Sequence, residues 1–239
     1  MDDPSTLTEF EAFARSIGFN VGQPMEYEHT LVVPVPASLE NAEEQFHRSI
    51  FKNARKLERA GHIVRPIDDM VYARRMAALY METMNRTGAR QSAPDMTSVI
   101  RATAAQAHRY RLTGLFRLGA VDPESLLAFR WCGHAGRYAY DLLAASTRLV
   151  EEAGQIPMMP AIMLNVFEWA RAVGATHFDF GGVVADEDQR VKAVGGITRF
   201  KKQFGGQEFR VGCDLMLEPR VGWHLLDSVQ ARLIRTVQK

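Results

Sequence analysis

Three short segments with period-two alternation, residues 114–120, 126–132 and 137–144, follow one another with only turn-like residues between them. Alternate side chains of a strand point to opposite faces, so this period reads as half-buried strands. The connections, Asp122-Pro123-Glu124 and Gly133-His134-Ala135-Gly136, are too short to carry a chain across a sheet. Parallel neighbours need a crossover of about a dozen residues, so these turns impose an antiparallel meander. The rest of the chain must fold around that sheet.

Helical patterns surround it. Leu7, Phe10, Phe13, Ala14 and Ile17 recur at three- and four-residue spacing over 5–17, ended by Gly18 and Gly22-Gln23-Pro24. Ser38 stands where an N-cap belongs, before a helix over 39–60. Asp68 or Asp69 caps a third helix over 70–86, and Pro94-Asp95 opens a fourth to about 110. The clearest helix runs over 160–173, stopped by Gly174, and a last one over 223–237. Further strands read over 29–35, 62–67, 176–180 and 209–217. This order predicts an α/β (α+β) fold, with a mixed, mostly antiparallel central sheet flanked by helices.

Residues 176–210 carry the densest chemistry. A short strand ends in Gly181-Gly182, then Gly195-Gly196 and Gly205-Gly206 bracket ITRFKKQF. Glycine pairs allow sharp turns or close backbone approach to a ligand. Arg190, Lys192, Arg199, Lys201, Lys202 and Arg210 lie among them. Cations beside exposed backbone N–H groups suit an anionic ligand or an oxyanion; a solvated basic loop is the alternative. Upstream, Arg48, Lys52, Arg55 and Arg59 share one face of the helix over 39–60. That face could meet phosphates, or be solvated and neutralised by Glu43, Glu44 and Glu58.

The order of these residues resembles a known family. Phe178-Asp179-Phe180-Gly181-Gly182, then Arg199-Phe200-Lys201 and Phe204-Gly205-Gly206, is similar to the C-terminal part of FemAB-like transferases, relatives of the GNAT acyltransferases. KNARKLERAG before HIVRPI resembles the basic helix that opens the second GNAT-like domain in that family. The resemblance implies a GNAT-like domain over 37–239. Residues 1–36 would then be a helix and strand like the end of a truncated first domain. It also implies an acyltransferase that forms an amide on an amine acceptor. The donor would be aminoacyl-tRNA, or alternatively an acyl-CoA or acyl carrier protein; the acceptor would be a peptidoglycan precursor. No permanently bound cofactor is implied.

Residue by residue, Lys201 matches the family's catalytic lysine, expected to hold a phosphate or stabilise the oxyanion. Phe200 would wall the cleft, and Arg199 precedes it. Arg86 matches a cleft-facing arginine, with Arg90 as competitor. Tyr140 corresponds to a substrate tyrosine, although the family's Y-x-x-G-A-S becomes Y-D-L-L-A-A-S here. Asp179 could bind an amine or satisfy a buried strand end. Lys52, Arg55 and Lys202 are candidate phosphate or tRNA contacts. No nucleophile motif is present, so direct attack fits better than a covalent intermediate.

Two departures matter. Only the second of the family's two tandem domains is recognisable, so a partner chain or a second copy could complete the site. A Q/R-x-x-G-x-G/A pyrophosphate loop is missing, since 147–154 holds one glycine, and this disfavours acetyl-CoA. A non-catalytic binding module is the alternative from another class.

Composition excludes other classes. A net charge of +1 over 239 residues gives no global field toward nucleic acid or membrane. Cys132 and Cys213 are too far apart for a metal motif and suit a reducing compartment. The seven histidines show no ligand spacing, and Asp186-Glu187-Asp188 lacks the calcium-loop pattern, so no metal is expected. The start, MDDPSTLTEF, is unlike a secretory signal. No apolar run approaches the roughly 20 residues of a membrane span, and the expected location is cytoplasmic.

Overall fold

The computed structural model describes residues 4–24, 27, 29–88, 91–117, 122–151, 154–184, 192–211 and 213–217. They group into two compact units, 29–209 and a smaller one drawn from 1–28 and 210–239. In the smaller unit, helix α1 (Pro4–Ser16) is followed by strand β1 (Phe19–Pro24). Gly18, at φ 99°, makes the turn between them. The residues Gly22-Gln23-Pro24, read as a helix stop, therefore belong to a strand.

The larger unit begins with β2 (His29–Pro34), α2 (Leu39–Gln45), α3 (Ser49–Arg59) and β3 (Ile63–Pro66). A short 3-10 turn leads into α4 (Ala73–Thr87), then α5 (Met96–Ala105). The meander follows as β4 (Tyr110–Phe116), β5 (Leu126–Ala135) and β6 (Tyr138–Ser146). A hairpin of β7 (Leu149–Glu151) and β8 (Gly154–Ile156) precedes α6 (Met159–Ala172). Then come β9 (His177–Val183), α7 (Lys192–Lys202) and β10 (Gln207–Arg210). The last strand, β11 (Cys213–Leu217), pairs antiparallel with β1.

Seven strands form one sheet in the order β10-β2-β9-β6-β5-β4-β3. The pairs β3–β4, β4–β5, β5–β6 and β2–β9 are antiparallel, and β6–β9 is parallel. Helix α6 supplies the crossover that the parallel pair requires. The mixed, mostly antiparallel sheet expected from the sequence is thus present, with helices on both faces. On one face Phe46, just after α2, and Phe51 of α3 join Phe167 of α6, Phe178 and Phe180 of β9, and Phe204 just after α7. On the other, Met76 and Leu79 of α4 and Ile100 of α5 cover Leu112, Phe116 and Phe129. β2 is a member of this sheet, so the boundary expected at residue 36 falls inside the larger unit.

Caps behave as their chemistry dictates. Ser38 and Asp95 each accept a hydrogen bond from the first turn of their helices, and Asp69 caps the 3-10 turn. Four expectations are corrected. The helix over 39–60 is two helices, because Phe46 turns extended to fill the core between Phe167 and Phe204. The His47 N–H then donates to the Gln203 carbonyl, tying the break to the end of α7. The first meander strand starts at Tyr110, because residues 106–109 close a turn of their own. The strand over 209–217 is β10 and β11, in two different sheets. Gly195-Gly196 lies inside α7, and a side chain at Gly196 would meet only open space, so nothing in the structure explains glycine there. The helix over 223–237 lies outside the described residues. Among the described residues no helix is long and apolar enough to cross a membrane.

Candidate functional site

The site is built where α7 meets the end of β9. Gly181 and the strand irregularity around it set the geometry. Between Thr30↔Gly182 and Val32↔Asp179, β9 contributes one residue more than β2. Such a bulge bends the strand and re-aims its groups. Gly181 occupies it at φ 71°, a conformation costly for any residue with a Cβ. Its N–H donates to Asp179 Oδ1 at 2.7 Å, and the Thr30 hydroxyl donates to the same oxygen.

Helix α7 docks on this bulged strand through two side chains one turn apart. Thr198 Oγ1 accepts from the Val184 N–H at 3.3 Å. Lys201 Nζ donates to the Gly182 carbonyl at 2.6 Å. Gly205 and Gly206, at φ 73° and 89°, close the chain after the helix. A Cβ on Gly206 would stand 2.3 Å from the Val32 carbonyl oxygen, so glycine lets this turn lie flat against β2.

Lys201 is 8% exposed and is surrounded by charge from three strands. Arg130 of β5, 3% exposed, donates from Nε and Nη2 to the two carboxylate oxygens of Asp141 on β6, at 2.7 and 2.5 Å. Burial lowers the Lys201 ammonium from its ordinary value of 10.5 to about 8; Asp141 and Asp179 oppose that fall and Arg130 adds to it. At neutral pH the group remains a cation. An ammonium has three N–H donors, and the one to Gly182 leaves two to offer a ligand oxygen. Burial penalises charge on Arg130 as well, yet Asp141 raises its pKa overall. The neighbouring Cys132 thiol is pushed well up, first by burial, so it is an inert core group.

The other sequence candidates separate into two sets. Near Lys201, Asp179 is half-buried, and Phe200 packs on the core edge-on to Phe204 at 5.3 Å. Tyr140 lies opposite Asp179 in the parallel β6–β9 register, but its ring covers Gly133, where a Cβ would fall 2.5 Å from it, on the sheet face away from Cys132 and Asp141. Arg199 is exposed on α7. The remainder stand apart. Arg86, in the last turn of α4, donates to the Ser146 carbonyl at 3.1 Å. Burial lowers its pKa, and the nearby Arg148 adds to the effect. Arg55 pairs with Glu43 at 2.7 Å and Lys202 with Glu208 at 3.1 Å, while Lys52 is exposed. Arg90 and Arg190 lie outside the described residues. No group of His, Cys, Asp and Glu among the described residues is arranged to hold a metal ion.

Arg130 and Asp141 were missed by sequence reasoning. One signal was available. An arginine in the middle of LLAFRWC contradicts an otherwise apolar strand, and arginine is almost never fully buried without a partner.

No family model matches this chain, and no curated protein matches it by sequence. Solved structures do. The chain is similar to FemX at a TM-score of 0.64 and 17% identity, over 91% of this chain and 70% of that one. It is similar to a C-terminal domain from Agrobacterium fabrum described as that of a lysylphosphatidylglycerol synthetase, at a TM-score of 0.56 and 13% identity, over 95% and 70%. L-PGS from Bacillus licheniformis gives 0.53 and 12%, over 91% and 68%. The likeness is one of fold: the chain is built like FemX and the two L-PGS-type structures, in keeping with the fold expected from the FDFGG and R-F-K segments.

Proposed function

We propose that this protein is a transferase that moves an acyl or aminoacyl group to an amine, forming an amide, with Lys201 as the catalytic residue. The observation that carries the reading is the Lys201 ammonium, buried at the bulge of β9 in a FemX-like fold, with two donors left over after Gly182. In the reaction the acceptor nitrogen attacks the donor carbonyl. Its C=O becomes an oxyanion, and Lys201 donates to that oxygen. The bond to the leaving oxygen or sulfur then breaks, and the proton lost by the amine goes to the leaving group. A preorganised cation in a dry site is the usual means of stabilising such charge. Asp179 and Tyr140, side by side across the β6–β9 pairing, would bind a cationic group of the substrate away from the reacting carbonyl, a carboxylate beside an aromatic ring. Phe200 would wall the cleft, with Arg199 and Arg86 as further substrate contacts. Lys52, Arg55 and Lys202 would meet phosphates of the donor.

The donor we favour is aminoacyl-tRNA, and the acceptor a peptidoglycan precursor. The β7–β8 hairpin stands between β6 and α6, where an acyl-CoA enzyme would need a glycine-rich loop. A second reading is supported by the likeness to L-PGS and to the lysylphosphatidylglycerol synthetase domain: transfer of an amino acid to the hydroxyl of a lipid headgroup, forming an ester. One assay separates the readings. Charged tRNA is supplied with a nucleotide-linked muramyl peptide, with phosphatidylglycerol vesicles, or with neither, and acyl-CoA replaces it in a parallel arm. Product on the muramyl peptide that disappears in Lys201→Ala supports the first reading, and product on the lipid alone replaces it with the second. Turnover with acyl-CoA alone overturns the donor. Unchanged turnover in folded Lys201→Ala overturns the catalytic assignment.

A further inference from the structure

The Arg130–Asp141 pair raises a question that its burial makes sharp. Buried ion pairs contribute little to stability, because the cost of desolvating two charges offsets their attraction. This pair also breaks the regularity of its own sheet. Trp131 pairs with Leu143, but Cys132 pairs with Asp141, so Leu142 is an extra residue in β6. Leu142 is 41% exposed, so the bulge gains no burial for the side chain it inserts. Its effect is on Asp141. Were the register unbroken, with Leu142 opposite Cys132, Asp141 would stand opposite Gly133, and its carboxylate would leave the face that carries Arg130 and Cys132. The bulge turns the carboxylate onto that face, where Arg130 grips both of its oxygens.

Lys201 stands beside that face: the Arg130 guanidinium lies 5.7 Å from the ring centroid of Phe180 on β9, and Lys201 bonds the carbonyl of Gly182, two residues further along the same strand. The charged groups around the ammonium are Arg130 from β5, Asp141 from β6 and Asp179 from β9. On α7 itself Arg199 is solvent-exposed and Lys202 is paired with Glu208. Two buried cations thus face one partly buried carboxylate, whose side chain is 15% exposed. The second carboxylate, Asp179, is half-buried and already accepts from Thr30 and Gly181.

We propose that Asp141 is a positioning residue for the reaction: clamped by Arg130 and placed by the Leu142 bulge, it keeps Lys201 charged and oriented for an anionic oxygen. This rests on the assignment of Lys201 above. Arg130 has two effects: its fork fixes the carboxylate in one orientation, and its own charge limits how much Asp141 can favour the ammonium. The result is a lysine held near the point of losing its proton, yet still a donor at neutral pH.

The two halves of the pair therefore have opposite effects on Lys201, and that is the test. The protonation of Lys201 is followed by NMR of isotope-labelled lysine in the full chain, its resonance assigned by its loss in Lys201→Met. No substrate is needed, so failure of the transferase reading would leave this result intact. In Asp141→Asn the titration midpoint of Lys201 moves down by about one pH unit, a tenfold loss of charged form above the midpoint. In Arg130→Met it moves up. If either variant does not fold, the double Arg130→Met/Asp141→Leu replaces the pair with apolar groups, a change that buried pairs tolerate. There the midpoint falls by less than in Asp141→Asn, since Asp141 is the stronger of the two influences. A midpoint that stays in place in folded variants, or that moves the same way in both single variants, overturns the proposal. Where transfer activity is measured as well, its alkaline limb moves with the midpoint in each variant.

Discussion

Replacing Lys201 by methionine is expected to stabilise the protein while abolishing transfer. The magnitude follows from the environment of the ammonium. Its pKa falls from 10.5 in water to about 8 in the fold, chiefly through burial. That fall corresponds to about 3 kcal/mol by which the folded state disfavours the charged lysine. Methionine keeps an unbranched apolar stem and removes the charge. It also removes the hydrogen bond to Gly182, worth about 2 kcal/mol because the donor is charged. The balance is about 1 kcal/mol of added stability at neutral pH. The sign reverses the usual outcome, since most core substitutions destabilise. The pH dependence gives a second check. Below the folded pKa of about 8 both states carry the proton and the penalty is present in full. Between that pH and the unfolded value the folded state has shed its proton while the unfolded state has not, so wild-type stability rises. Above the unfolded value neither state is charged, and the penalty vanishes. Urea denaturation of both proteins at neutral pH and near pH 10 measures this. A variant less stable than wild type at neutral pH, or an advantage that persists unchanged at alkaline pH, would refute the reasoning.

Gly206→Ala should cost about 2–4 kcal/mol, because left-handed strain adds to a contact 2.3 Å from the Val32 carbonyl. Gly181→Ala should cost only the strain, about 1–2 kcal/mol, since its Cβ meets open space; equal urea midpoints would show that the contact with β2 is unimportant. Gly133→Ala should drive the Tyr140 ring from its seat and raise KM more than it lowers kcat, which steady-state kinetics with the accepted substrate would read. Arg55→Ala should change stability by less than about 0.5 kcal/mol, as its ion pair with Glu43 is exposed. With Lys52→Glu added, the log-log salt slope for charged-tRNA binding should fall by about two if both contact phosphate.

Much of the fold could be read from local chemistry. The period-two segments fixed an antiparallel meander, and the Ser38 and Asp95 caps placed two helix starts. The Phe178/Phe180 alternation oriented β9, whereas Lys201 was singled out by the family resemblance of the R-F-K segment. What could not be read was register. Periodicity says which residues share a face, but a bulge exchanges the faces beyond it, and one extra residue leaves no mark on a hydrophobic pattern. Leu142 in β6 and Gly181 in β9 are such residues, and the two most consequential contacts, Arg130–Asp141 and Lys201–Gly182, depend on them. The helix α7 was obscured differently. Gly195-Gly196 reads as a turn on propensity, while tertiary docking through Thr198 and Lys201 holds the segment helical. Each of these failures lies at or beside the buried lysine. A site needs groups that a free chain would not place together, so the rules that organise the core are broken there by bulges, left-handed glycines and a buried arginine. The mid-strand Arg130 was therefore the most informative residue in the sequence. It contradicted its own strand, and the fold resolves the contradiction by turning Asp141 through a bulge to meet it beside Lys201.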